Sequence, residues 1–322
     1  MDSLLTGLRA AAEPTRLRIL ALCAHAELTV SDLTQILGQS QPRVSRHLKL
    51  LVDADLLERE REGAFAFYRL AREGAGGALA AALVDLIPDD DRELALDLER
   101  LQAIKDSRAE AAAEYFRRNA GDWHRLRSLH VDDAEVEKAL LALLPEAAED
   151  LLDIGTGTGR MLELLAPRFE RALGIDQSRE MLAVARAGIE RAGLRNVTVR
   201  LGDMYQLPVG SGSMDAVVIH QVLHYAEQPG DAVAEAARVL KPGGVLVIAD
   251  FAPHGEDSLR RDHAHRWLGF ADAEIARWCR AAGLMPEPPV LLAGHPLTVA
   301  VWRARRAADA SPRLTALTGG RP

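Results

Sequence analysis

Apolar residues recur every three or four positions in three segments near the start of the chain, a spacing that is typical of amphipathic helices. The predicted helices cover residues 14–26, 32–37 and 41–51. Ser31 is the predicted N-cap of the second helix, Gly38 ends that helix, and Ser40 is the predicted N-cap of the third. Residues 57–61 and 64–70 then alternate around a glycine turn, which predicts a β-hairpin.

The third predicted helix has an apolar face and a polar, partly basic face. Val44, Leu48 and Leu51 fall at positions i, i+4 and i+7 and are expected to face inward. A helix, a short turn and a second helix with basic and amide side chains near its N-terminal end form the geometry that enters the major groove of DNA. Arginine can bond guanine there and glutamine can bond adenine, whereas Lys49 is expected to contact phosphate. The candidate DNA-contacting residues are Gln41, Arg43, Ser45, Arg46 and Lys49 on the helix and Arg59 and Arg61 on the hairpin.

A basic helix face is often only solvated, so the charge balance of the region has to agree with a DNA-binding role. The net charge of −8, taken whole, disfavours nucleic acid as a partner. The charge is uneven, however, because residues 1–75 carry ten basic and ten acidic side chains and the excess acid lies downstream. The complete order of helices and hairpin therefore favours DNA binding by the first quarter of the chain.

Two segments of this region, residues 13–20 and 40–51, resemble the ArsR-type winged-helix repressors. The resemblance covers about residues 5–72 and implies a homodimer that binds double-stranded DNA at a palindromic operator. One departure concerns metal sensing, because metal-sensing members carry Cys-x-Cys where this sequence has Thr29-Val30-Ser31. Hydroxyls are poor ligands for soft ions, so we expect no metal signal through that position.

A helical connector is predicted between residues 73 and 145. Apolar positions recur at helical spacing from Arg92 to Arg118 and predict a long helix. We expect Gly121 and its neighbours to interrupt it before a further helix from Asp133 to Leu144. This connector is expected to serve dimerisation or to cover a cofactor pocket.

From Asp150 onward, short apolar strands alternate with helical patterns, which predicts an open parallel sheet with helices on both faces. The first strand, residues 151–154, runs into a loop with Gly155, Gly157 and Gly159. Ligands in such sheets bind beyond the carboxyl ends of the strands, where glycine permits close approach. The nicotinamide fingerprint G-x-G-x-x-G needs a glycine where Arg160 stands, so the loop disfavours NAD.

Acidic residues stand at the ends of three successive predicted strands: Asp153, Asp176 and Asp203. Asp176 could accept from ribose hydroxyls, and Asp203 could accept from an adenine amino group while Met204 packs on the ring. A turn or a cap would explain any one of these acids alone. Three of them on one edge of the sheet favour a ligand site.

Residues 151–160, 173–178 and 202–203 together resemble a class I S-adenosylmethionine-dependent methyltransferase, and residues 213–219 and 239–250 are similar to its fourth and fifth strands. The resemblance spans about residues 145–303. It implies S-adenosylmethionine as cofactor, with the glycines near the methionyl and ribose portion, Asp176 on the ribose and Asp203 on the adenine. The candidate cofactor-binding residues are Asp153, Gly155, Gly157, Gly159, Asp176, Gln177, Asp203 and Met204.

Two histidines follow the fourth predicted strand and are candidates for work on the methyl acceptor. His220 is the preferred general base, since histidine titrates near neutrality, and His224 lies one helical turn later. For both, a cap or a hydrogen-bonded structural histidine is the alternative. No metal site is expected, because His263 and His265 lack a cysteine or carboxylate at a familiar ligand spacing.

Arsenite is disfavoured as the acceptor, because arsenite capture needs a set of thiolates. The chain has two cysteines, Cys23 and Cys279, far apart in sequence. Cys279 falls in an apolar helical pattern, so we expect its thiol to be packed.

The sequence thus predicts an α/β chain with four parts. They are an N-terminal winged helix-turn-helix domain (1–72), a helical connector (73–145), a Rossmann-like class I methyltransferase domain with an open, mostly parallel sheet (146–306) and a mobile tail (307–322). The expected function is a DNA-binding transcription regulator fused to a methyltransferase that acts on a small molecule.

Two alternatives stay open. The second domain could only sense S-adenosylmethionine or S-adenosylhomocysteine, or the winged helix could have lost DNA binding. No apolar run approaches the roughly 18 residues of a membrane span, and the start shows no secretory signal, so we expect a cytoplasmic protein without membrane contact.

Overall fold

The computed structural model describes residues 1–62, 65–71, 74–88, 90–127, 132–263 and 265–308; the side chains of residues 60–62, 65, 109, 111–127 and 262 are not described. Two features that the sequence predictions name are affected. The side chain of Arg61 and the tail beyond residue 308 lie outside the described part of the chain. The chain divides into two compact units, residues 1–115 and 116–322.

The first unit combines helices with a small antiparallel sheet. Its helices are α1 (Asp2–Ala11), α2 (Pro14–His25), α3 (Val30–Leu37), α4 (Gln41–Asp53), α5 (Gly74–Asp85) and the start of α6 (Arg92–Arg127). Its strands are β1 (Leu28–Thr29), β2 (Leu57–Glu62) and β3 (Phe65–Leu70), in the order β1-β3-β2. The predicted helix-turn-helix and hairpin are confirmed.

Local capping explains where the helices of this unit begin and end. Pro14 occupies the first turn of α2, where its missing N–H costs nothing, and Glu13 accepts from the backbone N–H of Arg16 at 3.0 Å. Gly38 ends α3 in the left-handed conformation, with φ 63°, as the sequence predicts. Ser40 holds the predicted N-cap position of α4, without a side-chain cap bond.

The predicted N-cap of α3 was wrong. Thr29, not Ser31, caps the helix, because Thr29 and Asp32 form a reciprocal capping box. The backbone N–H of Thr29 donates to the Asp32 carboxylate at 2.7 Å, and the Thr29 hydroxyl accepts from the backbone N–H of Asp32 at 3.2 Å. The box needs a side-chain acceptor at the third helical position, and Asp32 is three residues after Thr29.

The long connector helix also differs from its prediction. α6 runs without a break from Arg92 to Arg127, so the expected interruption at Gly121 is absent from its backbone. One glycine inside a helix costs only about 1 kcal/mol relative to alanine, which a long helix tolerates. Near its start, Asp97 is fully buried and accepts two bonds from the Arg18 guanidinium, at 2.6 and 2.9 Å.

The second unit is a sheet flanked by helices. The helices that follow α6 are α7 (Asp133–Leu143), α8 (Arg160–Leu165), α9 (Arg179–Ala192), α10 (Pro229–Val239), α11 (Ser258–Asp262) and α12 (Asp272–Ala281). The strands are β4 (Ala148–Ile154), β5 (Phe169–Asp176), β6 (Val197–Leu201), β7 (Met214–His220), β8 (Leu240–Phe251), β9 (Leu284–Pro286), β10 (Val290–Leu292) and β11 (Val299–Arg306).

The strand order in this sheet is β10-β11-β8-β7-β4-β5-β6, with β9 also paired to β11. Strands β4 to β8 pair in parallel, whereas β11 is antiparallel to its neighbours. The predicted open, mostly parallel sheet is confirmed. After β4 the chain proceeds to β5 and β6 on one side and then to β7 and β8 on the other, so the topological switch point lies between β4 and β7.

Apolar side chains pack on both faces of the sheet. In β7, Ala216 and Val218 join one core cluster while Val217 and Ile219 join the other, since successive side chains of a strand point to opposite faces. Burial on both faces explains the nearly continuous apolar runs of these strands. No helix within the described residues is long and apolar enough to span a membrane.

Candidate functional site

The glycine loop after β4 owes its shape to left-handed backbone conformations. Gly155, Gly157 and Gly159 have φ values of 70°, 53° and 83°. A Cβ on Gly155 would lie 2.5 Å from the side chain of Val222, whereas a Cβ on Gly157 would meet nothing within 4 Å. The loop is therefore packed on the β7 side at Gly155 and open at Gly157.

Asp153 lies in β4 directly before this loop and is 1% exposed. Its Oδ2 accepts a bond from the Thr156 hydroxyl at 2.7 Å, while its buried Oδ1 has no hydrogen-bond partner among the described residues. Burial, helped by the nearby charge of Asp176, raises the pKa of Asp153 to about 7, although the Thr156 bond opposes the shift. An unpaired buried carboxylate oxygen is costly and suits a cationic donor.

Asp176, at the end of β5, ties the glycine loop to the start of α9. Its Oδ2 accepts from the backbone N–H of Gly157 at 2.8 Å, and its Oδ1 accepts from the N–H of Ser178 at 2.8 Å. A carboxylate has about four lone-pair positions, so these two bonds leave acceptor capacity for a ligand.

Asp203 follows β6, as the sequence indicated, and lies at the exposed rim. Its Oδ1 accepts from the Gln177 amide at 3.2 Å and from the backbone N–H of Tyr205 at 3.0 Å. Met204, beside it, is partly buried against the core. The acids at the ends of β4, β5 and β6 thus occur on one edge of the sheet, next to its switch point.

A cavity of about 440 Å³ lies at this edge. Four of the predicted cofactor residues line it: Gly155, Asp176, Gln177 and Met204. Asp153, Gly157, Gly159 and Asp203 do not belong to its lining, although Gly157 bonds to Asp176 and Asp203 bonds to Gln177. Two lining residues that the sequence did not single out are Tyr225 and Arg266.

Two buried histidines, His224 and His265, lie next to Tyr225, which lines the cavity. His224 Nδ1 lies 2.7 Å from Asp250 Oδ1, and the two residues are 2% and 0% exposed. The ring of His265 stacks on His224 with a centroid separation of 4.0 Å, and the ring of Tyr225 lies 4.2 Å from that of His224. His220, the preferred base from the sequence, is the half-buried last residue of β7.

Sequence reasoning missed Asp250. The signal was present, because Asp250 lies near the end of a strand, as the three recognised acids do. The stacked His265 ring is buried, and burial, with the nearby His224, lowers the pKa of His265 to about 3. Burial and the charge of Asp250 raise the pKa of Tyr225.

The face of α4 that the sequence assigned to DNA is exposed. Gln41, Arg43, Ser45, Arg46 and Lys49 are all exposed. Val44, Leu48 and Leu51, on the other side of the helix, are fully buried.

A groove of about 590 Å³ separates α4 from the hairpin. Gln41, Ser45 and Lys49 line it from α4, and Arg59 lines it from β2. The guanidinium of Arg59 lies 6.0 Å from the centroid of the Tyr68 ring. The helix and the hairpin therefore present their polar side chains to one groove.

The geometry defines two classes of protein in one chain. A helix-turn-helix with a hairpin forms a winged-helix unit, and a mostly parallel sheet with a glycine loop and strand-end acids at its switch point forms a Rossmann-like class I methyltransferase fold. Residues 13–59 match the bacterial regulatory protein, arsR family, and residues 152–248 match a methyltransferase domain family. The chain therefore carries an ArsR-family helix-turn-helix and a methyltransferase domain.

Curated relatives match over part of their length. An uncharacterized methyltransferase of Mycobacterium bovis is 39% identical over 104 residues, which are 32% of this chain and 40% of that protein. An arsenite methyltransferase of Aquipseudomonas alcaligenes is 36% identical over 124 residues, which are 35% of this chain and 36% of that protein. The chain spans at most about half the length of relatives of this kind.

Among solved structures, a chain in the complex between the Haloferax volcanii Trm112 methyltransferase activator and a methyltransferase is 21% identical, with a TM-score of 0.50. The match covers 63% of this chain and 98% of that chain. It supports the fold of the second unit.

Proposed function

We propose that this chain is a DNA-binding transcription regulator fused to an S-adenosylmethionine-dependent methyltransferase that acts on a small molecule. The main support for the methyltransferase activity is the cavity at the switch point. Gly155 and Asp176 line this cavity, and the nearby Asp153 has a buried carboxylate oxygen without a hydrogen-bond partner among the described residues. We also propose the domain limits predicted from the sequence, residues 1–72, 73–145 and 146–306.

The residues present fit S-adenosylmethionine. The unpartnered Asp153 Oδ1 is an acceptor for the ammonium group of a methionyl moiety. The open side of Gly157 leaves room for close approach, and Asp176 keeps free lone pairs for ribose hydroxyls. Gln177, Asp203 and Met204 would hold the adenine end.

When bound, the cofactor supplies a methyl group already activated on a sulfonium sulfur. The residues of the chain therefore have to bind, orient and exclude water, and to take a proton from the acceptor where one is released. His220 remains the base predicted from the sequence. His224 is the second candidate, and its support is the buried carboxylate of Asp250, which can stabilise an imidazolium.

Arsenite is not favoured as acceptor, although one relative is named an arsenite methyltransferase. Cys23 and Cys279 are both buried, and burial raises the pKa of both thiols, that of Cys279 to about 11. Thiols with raised pKa values are poor thiolate ligands.

Calorimetry with S-adenosylhomocysteine tests the cofactor site. We expect wild type to bind and Asp176→Ala to lose at least about tenfold in affinity, because hydrogen bonds to a charged group contribute about 1.5–3 kcal/mol. Glu170→Ala, at an exposed position of the same strand, is the control. Equal affinity of Asp176→Ala and wild type would show that the ribose site is misplaced.

We propose that the first unit binds duplex DNA through Gln41, Arg43, Ser45, Arg46, Lys49, Arg59 and Arg61, as a homodimer on a palindrome. The exposed face of α4 beside the hairpin groove supports this. With a random-sequence duplex, Lys49→Ala should lower the salt slope of log affinity by about 1, as expected when one phosphate contact is lost.

Arg92→Ala, at the exposed start of α6, is the control for the DNA measurement. Unchanged DNA affinity in Arg43→Ala and Arg46→Ala would instead favour an enzyme whose winged helix has lost DNA binding.

The second candidate function is cofactor sensing without methyl transfer. It is favoured by the bonds that join α6 to α3, the first helix of the helix-turn-helix, namely Arg108 to the capping carboxylate of Asp32 at 2.8 Å and Arg100 to the Ile36 carbonyl at 2.8 Å. A sensor requires operator affinity to differ between the free and cofactor-bound chain. Equal affinities in both states would exclude it.

A further inference from the structure

Arg266 is the feature of the cavity that the cofactor does not account for. Its side chain is exposed and lines the cavity together with Gly155 and Asp176. Among the described residues, its guanidinium has no hydrogen-bond or ion-pair partner. A guanidinium has five N–H donors in a fixed plane and matches carboxylate and phosphate oxygens in pairs.

The backbone around Arg266 is held in place. The N–H groups of Arg266 and Trp267 both donate to the carbonyl of His224, at 3.0 and 3.2 Å, and the Trp267 indole donates to the carbonyl of Ala226 at 2.9 Å. His224 is itself fixed by Asp250. A cation on an anchored backbone loses less entropy on binding than one on a free loop.

The charges around the cavity make Arg266 the side chain there that attracts an anion. The other charged side chains in the described lining are the carboxylates of Asp176 and Glu227, which repel anions. The neighbouring His265 adds no positive charge near pH 7, since burial holds its pKa far below the ordinary value.

The position of Arg266 separates it from the proposed cofactor residues. Those residues lie at or just beyond the carboxyl ends of β4, β5 and β6, on one side of the switch point. Arg266 and Tyr225 come from the segments after β8 and β7, on the other side. We propose that Arg266 binds the carboxylate or phosphate of the methyl acceptor, so that the substrates are small acidic molecules. This inference rests on the proposed methyltransferase function.

The test compares wild type with Arg266→Gln and Arg266→Lys. Methyl-labelled S-adenosylmethionine is incubated with each protein and a deproteinised metabolite extract of the source organism, and labelled products are separated on an anion-exchange resin. S-adenosylhomocysteine affinity is measured by calorimetry. Arg261→Gln, an exposed arginine of the same segment outside the cavity lining, is the matched control.

We expect wild type to yield labelled product retained on the resin, and Arg266→Gln to lower its rate of formation at least about tenfold. S-adenosylhomocysteine affinity should stay within about twofold of wild type, and Arg266→Lys should recover part of the rate, since it keeps the charge but loses the planar fork. Phosphatase treatment of the product then distinguishes a phosphate, which is lost from the resin, from a carboxylate, which stays bound.

Three results would overturn the inference while leaving the proposed methyltransferase intact. They are a labelled product that passes through the resin, full activity of Arg266→Gln, and a tenfold loss of S-adenosylhomocysteine affinity in that variant, which would assign Arg266 to the cofactor carboxylate. A wild-type protein that binds S-adenosylhomocysteine but labels nothing would overturn the proposed enzymatic function and this inference together.

Discussion

The imidazole of His224 and the carboxylate of Asp250 form a buried pair, with Nδ1 and Oδ1 2.7 Å apart. Asp250 also accepts from the backbone N–H groups of His224, at 3.2 Å, and Phe251, at 2.8 Å. One fully buried carboxylate thus satisfies three donors at the carboxyl ends of β7 and β8. The pair fixes the segment that carries Tyr225 to the cavity.

Asp250→Asn should destabilise the protein. An asparagine places an NH₂ donor against donors that the carboxylate now satisfies, and a buried donor left unsatisfied costs about 1–3 kcal/mol. Urea unfolding measures the effect. Asp257→Asn, at a site whose side chain is 74% exposed, should change stability by less than about 0.5 kcal/mol. Similar stabilities of the two variants would contradict a structural role for Asp250.

His265 should make stability depend on pH. The folded state keeps its pKa near 3, so the unfolded chain binds more protons between that value and about 6.5, and stability falls as the pH is lowered through this range. Between pH 7 and 5 the loss should be about 1–2 kcal/mol. His265→Phe preserves the stacked ring and should flatten this part of the curve in urea unfolding. A slope unchanged by the substitution would assign the pH dependence to other groups.

Asp153 should make stability depend on pH in the opposite direction. Its folded pKa of about 7 exceeds the ordinary value for aspartate, so the folded state binds more protons between pH 4 and 7 and stability falls as the pH rises through that window. Asp153→Asn should therefore stabilise the ligand-free protein at pH 8 by about 2–4 kcal/mol.

Asp153→Asn should also weaken the binding of the cofactor. A cationic ligand group favours ionised Asp153, so the affinity of wild type for S-adenosylhomocysteine should rise between pH 6 and 8. Calorimetry at both pH values should show this rise in wild type and none in Asp153→Asn. A parallel rise in both proteins would separate Asp153 from the ligand.

Gly155→Ala should be more harmful than Gly157→Ala. Both positions have positive φ, which costs a residue with a Cβ about 1–2 kcal/mol. At Gly155 the new Cβ also overlaps Val222, which adds about 1–3 kcal/mol of overpacking. Gly155→Ala with Val222→Ala should recover the overpacking part, as a double-mutant cycle in urea can measure. If the stability losses of the two single variants simply add in the double variant, the proposed overlap between the new Cβ and Val222 is contradicted.

Much of the fold was predictable from local sequence. The period of apolar residues located α2, α3 and α4 of the first unit, although it did not predict α1, and the alternation of strands and helices located the sheet of the second. The cap of α3 was mispredicted, because two residues near the start of that helix can act as a cap and only the reciprocal bond between Thr29 and Asp32 decides between them. Likewise, Gly121 weakens a helix without ending it, since neighbouring turns outweigh its cost.

The sequence by itself determined which residues stand at strand ends and which face of α4 is polar, because strand ends and helix faces follow from spacing along the chain. Only the tertiary structure brought Asp250, His224 and His265 together and placed Arg266 in the lining of the cavity. Asp250 lies near the end of β8, whereas the others come from separate segments after β7 and β8, and no local spacing encodes their approach. Their contact depends on the parallel pairing of the two strands, which places the loops that follow them at one edge of the sheet.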